Sequence, residues 1–213
     1  MNVFFRLGAT NIFDDSKFAY SDIADAQYAD SAPLCPKCGH PIGSLYWLEP
    51  RKVVLSKPIY GDFVYGLRFL VSDGFKAAYE KTELRGINAF IPVEVDRVRY
   101  MRKNTPLPPQ YHALDLVYSY ARVDKEKSII KGQPLEEWQH CSLCNPFGVM
   151  SNEIRGLYVD DTHWGGEDIF HLHEMGSSIY ASQRFVDFCL KNGFTNFSYT
   201  NTRDYVFPLD NYS

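Results

Sequence analysis

No stretch of the 213 residues approaches the ~18 apolar residues needed to span a bilayer, so no membrane partner is expected. The first residues, Met1-Asn2-Val3-Phe4-Phe5-Arg6, lack a basic leader followed by a long apolar run, which predicts a cytoplasmic protein. There is no H-E-x-x-H, no P-loop, no G-x-S-x-G and no dinucleotide fingerprint, so no catalytic residue is assigned and an enzyme is not expected. Long basic tracts are missing too. With 22 basic and 26 acidic side chains the net charge is −4, which argues against a general nucleic-acid binder. Cysteine is scarce: there are five, an odd number. In a reducing compartment, paired C-x-x-C spacings read as metal ligands before disulfides.

Aromatic residues, by contrast, are plentiful, with 15 Tyr and 15 Phe in a chain that is 45% hydrophobic. Such a chain can bury a sizeable core, and its aromatic side chains suit the pleated surface of strands. Charge is uneven. Residues 35–110 carry 12 basic and 7 acidic groups, whereas residues 111–213 carry 8 and 14. The clearest break is Thr105-Pro106-Leu107-Pro108-Pro109, a stiff extended segment. The expected organisation is one compact domain over 1–213, divisible into an N-terminal lobe (1–104) and a C-terminal lobe (111–213).

Two short motifs stand out, Cys35-Pro36-Lys37-Cys38-Gly39 and Cys141-Ser142-Leu143-Cys144-Asn145. A C-x-x-C turn directs two thiolates at one ion, and two such turns supply a tetrahedral zinc. The expected metal ligands are therefore Cys35, Cys38, Cys141 and Cys144, around a structural Zn2+. The pairs are 102 residues apart, against about 15–20 in a simple zinc ribbon, so the site would staple two distant segments. Gly39 permits left-handed backbone after the first pair, and Asn145 tolerates it after the second. His40 is a candidate additional ligand. Cys189, on the apolar face of a helix, reads as a small core residue.

Pattern also predicts the elements. Residues 63–71 read as one strand. Ser72 caps a helix ended by Gly86, 89–95 is a strand with Pro92 marking an edge or bulge, and 111–123 is a strand. Ser182 caps a second helix ended by Gly193, and 194–199 closes the chain as a strand. The second copy echoes the first: strand, Ser, Phe three residues on, helix, Gly. The expected fold class is α+β and strand-rich, two related strand–helix–strand lobes joined by one four-cysteine zinc site.

Beyond the two cysteine pairs, the run Asp168-Ile169-Phe170-His171-Leu172, the segment Ser182-Gln183-Arg184-Phe185-Val186 and the pair Gly193-Phe194 resemble the double-CXXCG motif proteins, some of which are immunity proteins of polymorphic toxin systems. The second motif departs from the family pattern, having Asn145 where the family has Gly. The resemblance implies a non-enzymatic inhibitor that binds and neutralises a cognate, contact-delivered toxin. It identifies neither the toxin nor the oligomeric state. A candidate contact surface is the acidic loop with Asp160, Asp161, His163, Trp164, Glu167 and Asp168, whose charge would steer a basic partner. The alternative function is a zinc-ribbon nucleic-acid module using Arg97, Arg99, Arg102 and Lys103 around Tyr100. An enzyme would have to use His171-Leu172-His173-Glu174, where a strand would set both histidines on one face.

Overall fold

The computed structural model describes residues 2–8, 17–66, 68–132, 141–144 and 151–207. Along the chain run β1 (Phe4–Gly8), β2 (Ser21–Ile23), β3 (Lys52–Leu55), β4 (Phe63–Val64), β5 (Leu70–Ser72) and helix α1 (Asp73–Tyr79). Next are β6 (Ile87–Val98), β7 (Tyr111–Leu116), β8 (Tyr118–Ser119), β9 (Arg122–Val123), β10 (Ile129–Gly132), β11 (Ser151–Arg155) and β12 (Val159–Asp160). The chain continues with β13 (Ile169–Leu172), β14 (Ile179–Ser182), helix α2 (Gln183–Lys191), β15 (Ser198–Asn201) and β16 (Val206–Phe207). This is a strand-rich α+β architecture with two α-helices among the described residues.

A six-stranded sheet has the order β2-β3-β6-β7-β5-β4, and a five-stranded sheet the order β15-β1-β14-β13-β8. Strand pairing crosses the 1–104/111–213 division. β1, from the first residues, lies between β14 and β15, and β7 lies between β5 and β6. The core joins the sheets through both helices, with Phe75 of α1 and Phe185 of α2, both fully buried, 6.1 Å apart between ring centroids. Phe63, Phe194 and Phe188 surround Phe75 at 5.0–5.8 Å. Each such side chain contributes about 1.5–3 kcal/mol by leaving water.

Several expected elements differ. Residues 63–71 form a hairpin, with Phe63 opposite Val71, in place of one strand. Segment 111–123 breaks into β7, β8 and β9. The strand expected over 194–199 is Ser198–Asn201, because Phe194 and Phe197 turn inward to the aromatic core, and β16 follows it. Helix α1 stops at Tyr79, well short of Gly86. Gly86, at φ +123°, is required for another reason: a Cβ there would collide with the Ile169 carbonyl oxygen. Pro92 lies in central strand β6, but β3 pairs only from Glu94 onward. The missing N–H therefore falls where β6 has no neighbour on that side.

One bonding pattern occurs twice, and it is crossed. Phe75 N donates to Ser72 Oγ (3.1 Å), and Phe185 N donates to Ser182 Oγ (3.4 Å). Each serine hydroxyl donates in turn to an aspartate, Ser72 to Asp62 and Ser182 to Asp168, both at 2.8 Å. The other oxygen of each aspartate reaches the opposite unit. Asp62 Oδ2 accepts from Thr195 N (2.9 Å) and Oγ1 (2.8 Å), while Asp168 Oδ2 accepts from Arg85 N (3.1 Å). Arg85 and Thr195 each lie 13 residues beyond their own capping serine, so the bonds match Arg85 with Thr195. Gly86 and Asn196 then correspond, both at positive φ, in place of the Gly86–Gly193 match that the sequence suggests.

Candidate metal centre

An irregular hairpin over residues 27–48 carries the first cysteine pair. Ala29 N donates to Tyr46 O (2.9 Å), Leu48 N to Gln27 O (2.9 Å) and Ile42 N to Pro33 O (2.9 Å). At its tip Cys35 N donates to His40 O (2.8 Å) and Gly39 N to Cys35 O (2.9 Å). Gly39 has φ +73° with open space where a Cβ would stand, so conformation alone selects glycine there. The second pair comes in on a turn over 141–144, where Leu143 N donates to Cys141 Sγ (3.4 Å). Asn145 lies outside the described residues.

The four expected cysteines meet, with all Sγ atoms within 4.8 Å of one another. Cys35 and Cys141 are 3.8 Å apart, and Cys38 and Cys144 are 3.4 Å apart. Four sulfurs at about 2.3 Å from a tetrahedral ion stand about 3.8 Å from each other, so the donor set fits zinc. Neither of these two pairs is joined as a disulfide, since an S–S bond is about 2.05 Å, and all five cysteines are free. Cys35 and Cys144 are buried and Cys38 is exposed, which leaves one side open for an ion to enter. Burial works to raise the Cys141 thiol, but the backbone N–H groups of Cys144 and Leu143 outweigh it and bring it down to about 6. Cys144 is pushed up, first by burial and then by its sulfur neighbours. Four thiolates this close repel one another, and a divalent cation at their centre removes that penalty. Among the described residues the group contains no histidine. His40 contributes its backbone carbonyl to Cys35.

Neighbouring side chains brace the two turns. Lys37 Nζ donates to Ser142 Oγ, and Arg122 Nη1 donates to the Leu143 carbonyl. Arg122 Nε also lies 3.3 Å from Glu174 Oε1, a carboxyl whose pKa is raised by burial. His171 and His173 are not arranged on one strand face, because β13 ends at Leu172 and His173 opens a 3-10 turn, His173–Met175. Their rings flank Tyr118 at 5.2 and 5.5 Å, and Tyr118 packs against the cysteine cluster. Each Nδ1 is held by a carbonyl, that of Ser178 for His171 (2.7 Å) and that of Ser119 for His173 (2.8 Å).

Burial lowers the pKa of both imidazoles below the ordinary 6.5. The unfolded chain therefore binds more protons than the folded one as pH falls through 6.5 toward the depressed folded values. Stability is fully present above 6.5 and drops below it, by at most about 1.4 kcal/mol per pH unit for each histidine. Urea unfolding at about pH 7.5 and about pH 5.5 should show this fall in the wild type and a shallower one in His173→Asn. Equal slopes would contradict it.

The immunity protein family Imm11 matches residues 49–204, most of the chain. The chain belongs to this family. The suspicion of an immunity protein drawn from the sequence is met at that level. The matched range holds Cys141 and Cys144 together with Asp62, Ser72, Asp168 and Ser182, while Cys35 and Cys38 precede it. No curated protein matches the chain.

In an immunity protein family the exposed surface matters as well as the cysteine cluster. The acidic loop is largely committed within the chain. Asp160 Oδ1 accepts from Thr162 N (3.0 Å), Asp161 Oδ2 from Asn2 N (2.9 Å) and Glu167 Oε2 from Ser119 Oγ (3.1 Å). Asp168 is buried. Trp164 packs edge-on against Phe4 at 5.2 Å and donates Nε1–H to Glu167 O (3.1 Å). The exposed apolar groups stand elsewhere. Tyr100 is 82% exposed at φ +58° and Leu107 is 79% exposed, both in the β6–β7 connection with Arg102 and Lys103. Sequence reading attached this segment to nucleic acid. Its other signal was a Tyr and a Met among basic residues beside a proline-rich turn. Among the described residues no helix is long and apolar enough to cross a membrane.

Proposed function

We propose that the protein is an immunity protein that binds and neutralises a cognate contact-delivered toxin in the cytoplasm, without catalysis, on a scaffold held by a structural zinc. The family match carries this reading. The fit of the sulfurs of Cys35, Cys38, Cys141 and Cys144 to a tetrahedral ion supports the metal. The repeated Asp–Ser–Phe bonding supports two related strand–helix–strand units within one domain over 1–213.

The toxin-docking element is the β6–β7 tip. Tyr and Arg are the residue types that most often dominate binding energy, and a basic tip on a chain of net charge −4 suits an acidic partner surface. Tyr100 and Met101 supply apolar area there, with Arg102 and Lys103 beside them.

The test is co-purification and growth rescue with a candidate toxin, sought first among the proteins encoded beside this one. The triple variant Tyr100→Ala, Arg102→Glu, Lys103→Glu should bind at least about 100-fold more weakly at unchanged melting temperature. Wild-type protein that neither binds the toxin nor protects cells from it would sink the immunity reading. Undiminished binding by the triple variant would sink only the docking site. The same basic tip favours nucleic acid as a second reading, which predicts retention on single- or double-stranded DNA that falls steeply with salt.

A further inference from the structure

A cleft of about 240 Å³ opens between the six-stranded and five-stranded sheets, against the hairpin that carries the first cysteine pair. Its walls carry Arg6, Arg51 and Arg68 but one carboxylate, Asp115. Arg51 is engaged, with Nη1 2.8 Å from Glu49 Oε1 and Nε donating to Trp47 O (3.0 Å). The other two are only partly satisfied. Arg68 Nη2 donates to the Leu45 carbonyl, yet its Nε is buried with no partner. The Arg6 guanidinium stacks over Tyr205 at 4.6 Å, and its Nε is likewise buried and unpartnered. Trp47, only 7% exposed, has a buried indole N–H with no acceptor. Three enclosed donors on side chains that line one cleft amount to a shortage of acceptors. Buried polar groups in folded proteins are almost always paired, so the shortage points to a group that is brought in.

We propose that this cleft binds a small oxyanion, a carboxylate or phosphate group held by Arg6, Arg68 and Trp47. Planar guanidinium groups match the paired oxygens of such ligands, and the indole adds a third donor. The volume falls below the roughly 300 Å³ at which pockets for larger organic ligands begin, which suits one anionic group. That group arrives either on an acidic side chain of a partner or as a free ion. The site is a property of the chain alone and stands whether or not the immunity reading does.

The experiment is thermal unfolding of the full chain titrated with sodium acetate or inorganic phosphate, with sodium chloride at matched ionic strength as the baseline. The expected result is a saturable rise in melting temperature above the chloride baseline, the mass-action signature of binding to the folded state. Arg6→Gln should weaken the apparent affinity about tenfold, and Trp47→Phe, which keeps the ring and removes only the donor, about threefold. A stronger response to acetate assigns the cleft to a partner's carboxylate, and a stronger response to phosphate assigns it to a phosphate group. The indole N–H resonance of Trp47 in the wild type should move with the same saturation, a readout that holds even if a variant fails to fold. No saturable effect beyond chloride, or an indole resonance that stays fixed at saturation, overturns the proposal.

Discussion

Cys144→Ser, or removal of metal by a chelator, should cost the protein most of its stability. Cys144 is completely buried, and its sulfur lies 3.4 Å from that of Cys38. An ion at this point closes a loop of 102 intervening residues, so its loss returns a large conformational freedom to the unfolded chain. Structural zinc supplies about 10–16 kcal/mol in small zinc-finger peptides. Whole domains are stable by only about 5–15 kcal/mol. Even a loss of about 5 kcal/mol lowers the melting temperature of a chain this size by about 10–20 °C.

Elemental analysis should find one zinc per chain in the wild type and little in the variant. Thiol titration should follow suit. Native protein should react slowly at all five cysteines, because four form the proposed metal site and Cys189 is buried with its thiol pushed up by burial. After chelation the exposed Cys38 should react first. A chelated wild type, or a Cys144→Ser variant, that keeps the melting temperature of the untreated wild type would refute the staple.

Asp168→Ala should be the next most damaging change, at about 3–4 kcal/mol, as two hydrogen-bond donors lose a buried acceptor and Arg184 loses its counter-ion. Asp168 is 1% exposed, accepts from Ser182 Oγ and Arg85 N, and forms an ion pair with Arg184 Nη1 at 3.6 Å. Ser182 also loses the partner that orients it to cap α2. Asp62→Ala, at the matching position but only half-buried, should cost about 1–2 kcal/mol, since water can replace part of what is lost. Chemical denaturation of the two variants and of Ser182→Ala provides the comparison. Asp168→Ala and Ser182→Ala should be strongly non-additive, because they share one network. Equal costs for Asp62→Ala and Asp168→Ala would show that burial does not set the scale here.

These networks bear on what the resemblance means. Asp168, Ser182, Phe185 and the second cysteine pair are the residues that point to the family, and each is used inside the fold. They specify a scaffold. The exposed β6–β7 tip and the cleft residues Arg6, Trp47 and Arg68 lie outside those motifs.

The local features were legible. A C-x-x-C turn, a serine cap with Phe three residues on and the glycine after Cys38 depend on neighbours in sequence, so residue type and spacing reveal them. The end of α1 was not legible. Gly86 looks like a helix stop, but its conformation serves a close approach to Ile169, 83 residues away. Trp164 and the loop acids look like a contact surface, and their partners Phe4, Asn2 and Ser119 are distant in sequence.

By itself, then, the sequence determined the strand-rich composition, the two capped helices and the two C-x-x-C turns, since each rests on local chemistry. Tertiary structure alone decided that β1 inserts beside β14, that each aspartate bonds the opposite unit, and that Arg6, Arg68 and Trp47 meet on one cleft. Such contacts join residues scattered along the chain, and no periodicity or spacing encodes which of them will face one another once the sheets pack.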